Sequence, residues 1–174
     1  MIRDHWSRIG GLQFQDNGTI AAVWLAHDRD TDVLHLYDAC IFRREVLAVV
    51  SEGLNARGRW IPLAWNKSGA DIIEELLNRG ANTLPDPVKN SQPAVEAVSR
   101  IVWERMRSHR FKVDKRLAEW KEEYRTYYRQ GSKVPSDTHP LMAATLNAVS
   151  MLDYAMRQAM HRGKNVNYPK VAII

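Results

Sequence analysis

The feature that most constrains this chain is a seven-residue apolar run, Ile20 to Ala26, held between two turn signals. Asp16-Asn17-Gly18 precedes it, and Asp28-Arg29-Asp30-Thr31-Asp32 follows it. An Asn-Gly pair takes up the positive φ angles of a tight hairpin at low cost. A short unbroken apolar run suits a strand covered on both faces, because neither set of alternating side chains meets water. It is far too short to cross a bilayer, which needs about 20 residues. The sequence therefore predicts a central strand over 19–27. Gly10-Gly11 opens a first strand, Leu12 to Gln15, and the alternating segment Val33 to Ala39 supplies a third. Three strands with short connections make an antiparallel meander.

After Ala39 the apolar period changes. Val46, Leu47, Val49, Val50 and Leu54 recur at helical spacing within 43–55, and Gly58 closes that helix. Trp60 to Trp65 reads as a strand. Ile72, Ile73, Leu76 and Leu77 mark the inward side of a second helix that ends at Gly80. Ala81 to Leu84 is a further strand candidate. Ser91 and Pro93 form a helix start, and Val95, Val98, Val102 and Met106 make its stripe. Phe111-Lys112-Val113 is a brief extended piece. A helix over 115–129 follows, with Leu117, Trp120, Tyr124 and Tyr127 or Tyr128 as its apolar side. The last helix begins at Pro140 and turns Leu141, Thr145, Ala148, Val149, Leu152 and Met156 inward. A meander followed by strand–helix–strand crossovers gives an α/β fold, a mixed sheet with helices on both faces.

At 174 residues the chain has the length of one domain. Its 45% hydrophobic and 26% charged content excludes a disordered or fibrous class. Cys40 is the single cysteine, so neither an internal disulfide nor a cysteine zinc site can form. A buried thiol and a cytoplasmic setting are expected, with no membrane partner. The formal charge of +5 is uneven. Residues 1–99 carry ten Lys/Arg against thirteen Asp/Glu, whereas residues 100–133 carry eleven against five. Arg107, Arg110, Lys112, Lys115 and Arg116 are the candidate nucleic-acid contacts in that stretch. The competing account is a solvated face whose cations pair with carboxylates on the same helices. Lys67-Ser68 has the ending of a phosphate-binding loop, but Ile61 and Asn66 stand where its glycines would be. No serine-hydrolase elbow occurs, and the six histidines show no metal-binding helical pair.

Six segments, in order, resemble the nuclease domain of tailed-phage terminase large subunits. They are Gly11 to Trp24, Ala26 to Asp32 with Leu36 to Asp38, Arg57 to Trp65, Asn90 to Ala97, Met106 to Val113 and Leu141 to Val149. The first resembles the family's glycine–aliphatic–aspartate–aromatic–glycine strand and the Thr-Ala-Ala-Val-Trp strand after it. The fifth resembles its Met-x-Thr-Gly-Arg-Phe-Lys-Val segment. The resemblance spans about residues 9 to 156 and implies a ribonuclease H-like fold. A polar arm over 1–8 and a tail over 163–174 flank that domain. The motor domain of a full terminase has no counterpart here, so the chain is read as an excised domain or a free-standing relative. Its start at Met1, eight residues before the first strand, fits a small native protein.

In such a fold the resemblance implies carboxylates from the first strand, the fourth strand and the start of the last helix. They hold two divalent metals about 4 Å apart, which activate water and stabilise the leaving oxygen. Carboxylate oxygens suit Mg²⁺ or Mn²⁺. Carried over, those positions fall on Gln13, Ser68 and His139, with Lys67 beside them. None supplies negative charge. The expectation is a degenerate site without metal or other cofactor, in a protein that binds double-stranded DNA, a terminase or a portal protein. The alternative is an active Mg²⁺- or Mn²⁺-dependent endonuclease that uses relocated acids, of which Asp16, Asp38 and Asp137 are the candidates. A third reading is an interaction module that has lost affinity for DNA.

Overall fold

A computed structural model describes residues 2–129 and 138–159. Three strands open the fold: β1 (Ser7–Phe14), β2 (Thr19–Asp28) and β3 (Val33–Arg43). Helix α1 (Leu47–Asn55), strand β4 (Leu63–Trp65) and helix α2 (Ala70–Asn78) follow, with a 3-10 turn at Lys67–Gly69 leading into α2. Then come α3 (Gln92–Arg107), β5 (Phe111–Val113), α4 (Ala118–Arg129), α5 (Pro140–Ser150) and a closing 3-10 turn at Leu152–Tyr154. The sheet order is β4-β1-β2-β3-β5. β2 pairs antiparallel with both β1 and β3. β4 runs parallel to β1, with Gly10 opposite Leu63 and Leu12 opposite Trp65. β5 runs parallel to β3 at the other edge. This is the expected mixed sheet.

Local chemistry sets these elements. Gly18 takes φ 81° in the first hairpin, a left-handed angle that glycine adopts without strain. Helix α3 starts on Ser91 and Pro93 and ends on Arg105 and Arg107, cations that suit the negative end of its dipole. Alternation along the strands divides the core. Ile9, Val23, Leu25, Leu34 and Leu36 pack under Val102 of α3, Trp120 of α4 and the apolar residues of α5. Leu12, Phe14, Ile20, Ala22 and Trp24 pack on the other face under α1 and α2. β2 is buried on both faces, as its unbroken apolar run requires.

The contact between α5 and β1 positions everything described below. A Cβ on Gly11 would run into the carbonyl oxygen of Ala144 and come within 2.9 Å of the Ala148 methyl. Only glycine lets the helix lie this close to the strand.

Several boundaries differ from the sequence reading. β1 begins at Ser7 and Trp6 is 7% exposed, so the arm is shorter than residues 1–8. β3 continues to Arg43, where a helix was expected, and a bulge between Trp24 and Leu25 shifts its register. The strand expected over Trp60–Trp65 pairs only from Leu63. Ala81–Leu84 makes a single bridge, Thr83 to Leu63. Leu77 is 53% exposed rather than inward. α5 ends at Ser150, and Met156 is half-exposed and bridges Arg8 instead of continuing the helix. The tail lies outside the described residues. Among the described residues, no helix is long and apolar enough to cross a membrane.

Candidate functional site

In open α/β sheets, ligands gather at the carboxyl ends of parallel strands. β1 and β4 end together here, and a cavity of about 220 Å³ opens beside them. Gln13 comes from the end of β1, and Asn66 and Ser68 follow β4. Asn90 and Gln92 enter from the start of α3, and Asn147 from α5. Val95, Ala143 and Leu146 form the apolar remainder of the lining. Among the described residues, every polar side chain in this lining is uncharged.

Three buried carboxamides are locked in orientation. Asn147 donates from Nδ2 to the Leu12 carbonyl at 2.8 Å and to Gln13 Oε1 at 3.1 Å. The Leu12 carbonyl can only accept, so it fixes which end of the Asn147 amide points to β1. Gln13 is then the acceptor towards Asn147, and its Nε2 is directed elsewhere. Asn66 grips the Phe14 backbone: Phe14 N–H donates to Oδ1 at 2.7 Å, and Nδ2 donates to the Phe14 carbonyl at 3.1 Å. These bonds tie the ends of β1 and β4 and the middle of α5 into one unit.

Gln13 and Ser68 share the cavity, as expected from the sequence, and Lys67 is exposed next to Ser68. His139 does not reach it. It is 3% exposed, between Thr126 Oγ1 at 2.9 Å and Thr138 Oγ1 at 2.8 Å, with the Tyr127 ring against its edge. Thr126 already donates to the Glu123 carbonyl, so it accepts from His139 Nε2–H. The residue that α5 presents to β1 is Asn147, two turns further on. Nearby, Glu123 of α4 accepts from Met142 N–H at 3.0 Å, at the opening of α5. Burial pushes its carboxyl up to about 7, against the pull of the Met142 and Leu141 amides.

The acidic candidates do not converge. Asp16 is exposed in the first hairpin. Asp38 is held by Arg57 at 2.9 Å, and that guanidinium also lies over Trp24. Asp137 lies outside the described residues. No group of three or more His, Cys, Asp or Glu among the described residues is arranged to hold a metal ion. Among the described residues, the chemistry of the cavity lining does not fit Mg²⁺ or Mn²⁺, which need carboxylate charge to be retained. Cys40 is partly buried, and burial pushes its thiol up to about 11.

The basic candidates sit away from the cavity. α3 runs from the cavity at Gln92 to Arg107 at its far end, and β5 lies on the opposite sheet edge from β4. Arg110 and Arg105 both bind Asp32 at 2.9 Å, and the Arg105 bond is the main cause holding the Asp32 carboxyl low. Arg116 pairs with Asp114 at 2.9 Å, and Arg107 lies over the half-exposed Trp103 ring. Lys112 and Lys115 form no ion pair among the described residues.

No protein-family model matches this chain, and no curated protein matches it in sequence. Solved structures do match its shape. The nuclease domain of the P22 large terminase superposes with a TM-score of 0.80 at 23% identity, over 90% of this chain and 87% of that one. The large terminase nuclease domain of bacteriophage SPP1, solved with bound Mn, gives 0.63 at 15% identity over 87% and 92%. Against the large terminase of a thermophilic bacteriophage the TM-score is 0.67 at 12% identity, over 89% of this chain and 42% of that one. The chain has the ribonuclease H-like fold of large terminase nuclease domains, and among the described residues the cavity beside its β1 and β4 ends is lined without charge.

Proposed function

We propose that this chain is a terminase-type nuclease fold that works by binding rather than by cutting. The observation that carries the reading is the lining of the cavity: carboxamides, one hydroxyl and aliphatic groups occupy the carboxyl ends of β1 and β4. A two-metal hydrolase needs about three carboxylates at one point to hold its ions and activate water. Gln13, Ser68 and Asn147 can donate and accept hydrogen bonds, but they supply no charge. The partner is DNA or another component of a DNA-packaging machine, which the likeness to large terminase domains supports. The setting is the cytoplasm of a phage-infected or prophage-bearing cell.

The test is a nicking assay on supercoiled plasmid with Mn²⁺, run beside a gel shift in EDTA. The expected result is no nicking above a no-protein control, with a gel shift at low salt. Metal-dependent nicking that follows the purified chain overturns the reading and points to relocated acids, for which Asp137, outside the described residues, is a candidate.

A further inference from the structure

We infer that β5 is a docking edge that takes an extended acidic segment of a partner protein as a further strand of the sheet. The inference goes beyond the reading of the cavity and does not depend on it, because β4 and β5 are opposite edges of the sheet.

The first observation is the open backbone of β5. Leu34 N–H donates to the Arg110 carbonyl at 2.9 Å, and Asp114 N–H donates to the Leu36 carbonyl at 2.9 Å. With Leu34 opposite Phe111 and Leu36 opposite Val113, the parallel ladder turns both main-chain groups of Lys112 towards β3. Those of Phe111 and Val113 therefore point away from the sheet. Among the described residues no second strand pairs with β5, and these two N–H and two C=O groups have no hydrogen-bond partner. The β4 edge is closed by contrast. Its Leu63 carbonyl accepts from Leu84 N–H at 2.9 Å, and its Trp65 carbonyl accepts from Val88 N–H at 2.8 Å. An unpaired edge is a template for another extended chain.

The second observation is charge, which selects the occupant. The segment Arg110 to Arg116 carries four cations and one carboxylate. Asp32 pairs with Arg110 and Asp114 with Arg116, which leaves Lys112 and Lys115 without an ion pair among the described residues. Lys112 is exposed, and its register partner across β3 is His35. A cavity of about 300 Å³ opens beside it, with Ile2, His35, Tyr37 and Val113 in its walls and the Asp114–Arg116 pair at its rim. A second copy of this chain does not suit the edge. Antiparallel pairing of two β5 strands about Lys112 sets one ammonium against the other, and like charges facing across strands destabilise a sheet. Duplex DNA offers phosphates to the lysines but no main-chain groups to the edge. An extended segment with an acidic residue facing Lys112 satisfies both the backbone and the charge.

The experiment is nuclear magnetic resonance on the ¹⁵N-labelled full chain at low salt, titrated with a short synthetic peptide of alternating valine and glutamate. The expected result is a saturable shift of the Phe111 and Val113 amide signals, with slower exchange of both amides with solvent. The same peptide N-methylated throughout keeps the carboxylates and loses every main-chain donor, and should bind about tenfold or more weakly. Lys112→Glu changes an exposed side chain whose backbone stays paired to β3, and should also weaken binding about tenfold or more. A short duplex oligonucleotide, titrated separately, should leave the exchange of both amides unchanged. No saturable shift at Phe111 and Val113 overturns the docking edge. So does equal affinity for the N-methylated peptide, an affinity unchanged in Lys112→Glu, or protection of the two amides by the duplex instead of the peptide. The presence or absence of nicking alters none of these outcomes, so the two readings fail separately.

Discussion

Replacing Glu123 by glutamine should change how stability depends on pH. The Glu123 carboxyl meets the opening of α5, the helix that carries Asn147 to the cavity. Burial raises its pKa from the ordinary 4.5 to about 7. A carboxyl raised in the folded state stabilises the fold fully below its unfolded value, and that contribution disappears as pH rises through the folded value. Stability should therefore fall between about pH 4.5 and pH 7. The full shift is worth about 3 kcal/mol, and solvent access to the partly buried carboxyl reduces it to about 1–2 kcal/mol. Glutamine keeps an acceptor for Met142 N–H but does not titrate. Thermal melts at pH 5 and pH 8 should show the wild-type chain losing roughly 2–8 °C relative to Glu123→Gln. Parallel pH profiles for the two proteins would refute the reasoning.

Three further outcomes follow from the geometry. Gly11→Ala should destabilise the chain by about 1–3 kcal/mol in urea unfolding, because its methyl meets the α5 backbone at Ala144; an unchanged midpoint would contradict the close packing. Replacing Arg107, Arg110 and Lys112 by alanine should reduce the salt slope of duplex binding by about two rather than three. Arg110 is paired with Asp32, whereas Arg107, which lies over the neutral Trp103 ring, and Lys112 form no ion pair among the described residues. Gln13→Asp, Ser68→Asp and Asn147→Asp together should create saturable Mn²⁺ binding, measurable by calorimetry. His139→Asp instead buries a carboxylate between two threonines and should lower stability by about 1–3 kcal/mol without adding a metal ligand.

The sheet was legible because its signals are local. Ile20–Ala26 forms the doubly covered strand, Asn17-Gly18 makes its turn, and Trp65 lies parallel to β1. The length of β3 was not legible, because the bulge at Trp24/Leu25 changes which side chains face inward and breaks the alternation that marks a strand. The cavity was half legible. Gln13 and Ser68 follow strands whose faces alternate, so their direction is set. Helix α5 is buried along nearly all of Pro140–Val149, and its periodicity carries no record of which side meets β1. Its phase is set by Gly11, whose missing side chain admits Ala144 and Ala148 and so places Asn147 over Gln13. A glycine pair inside a strand is the available signal for a close helix approach, although the same pair also reads as the start of a strand. The basic stretch was legible as charge but not as pairing, since Asp32 lies more than 70 residues from its partners Arg105 and Arg110 in sequence.

Calorimetric titration of Mn²⁺ into the metal-stripped chain tests the central claim most directly, because retained charge is what separates a two-metal nuclease from a binding cleft. The account predicts no saturable heat up to millimolar Mn²⁺, and no increase in melting temperature at the same concentrations. A tight, stoichiometric site that disappears on changing Gln13 or Asn147 to alanine would contradict it.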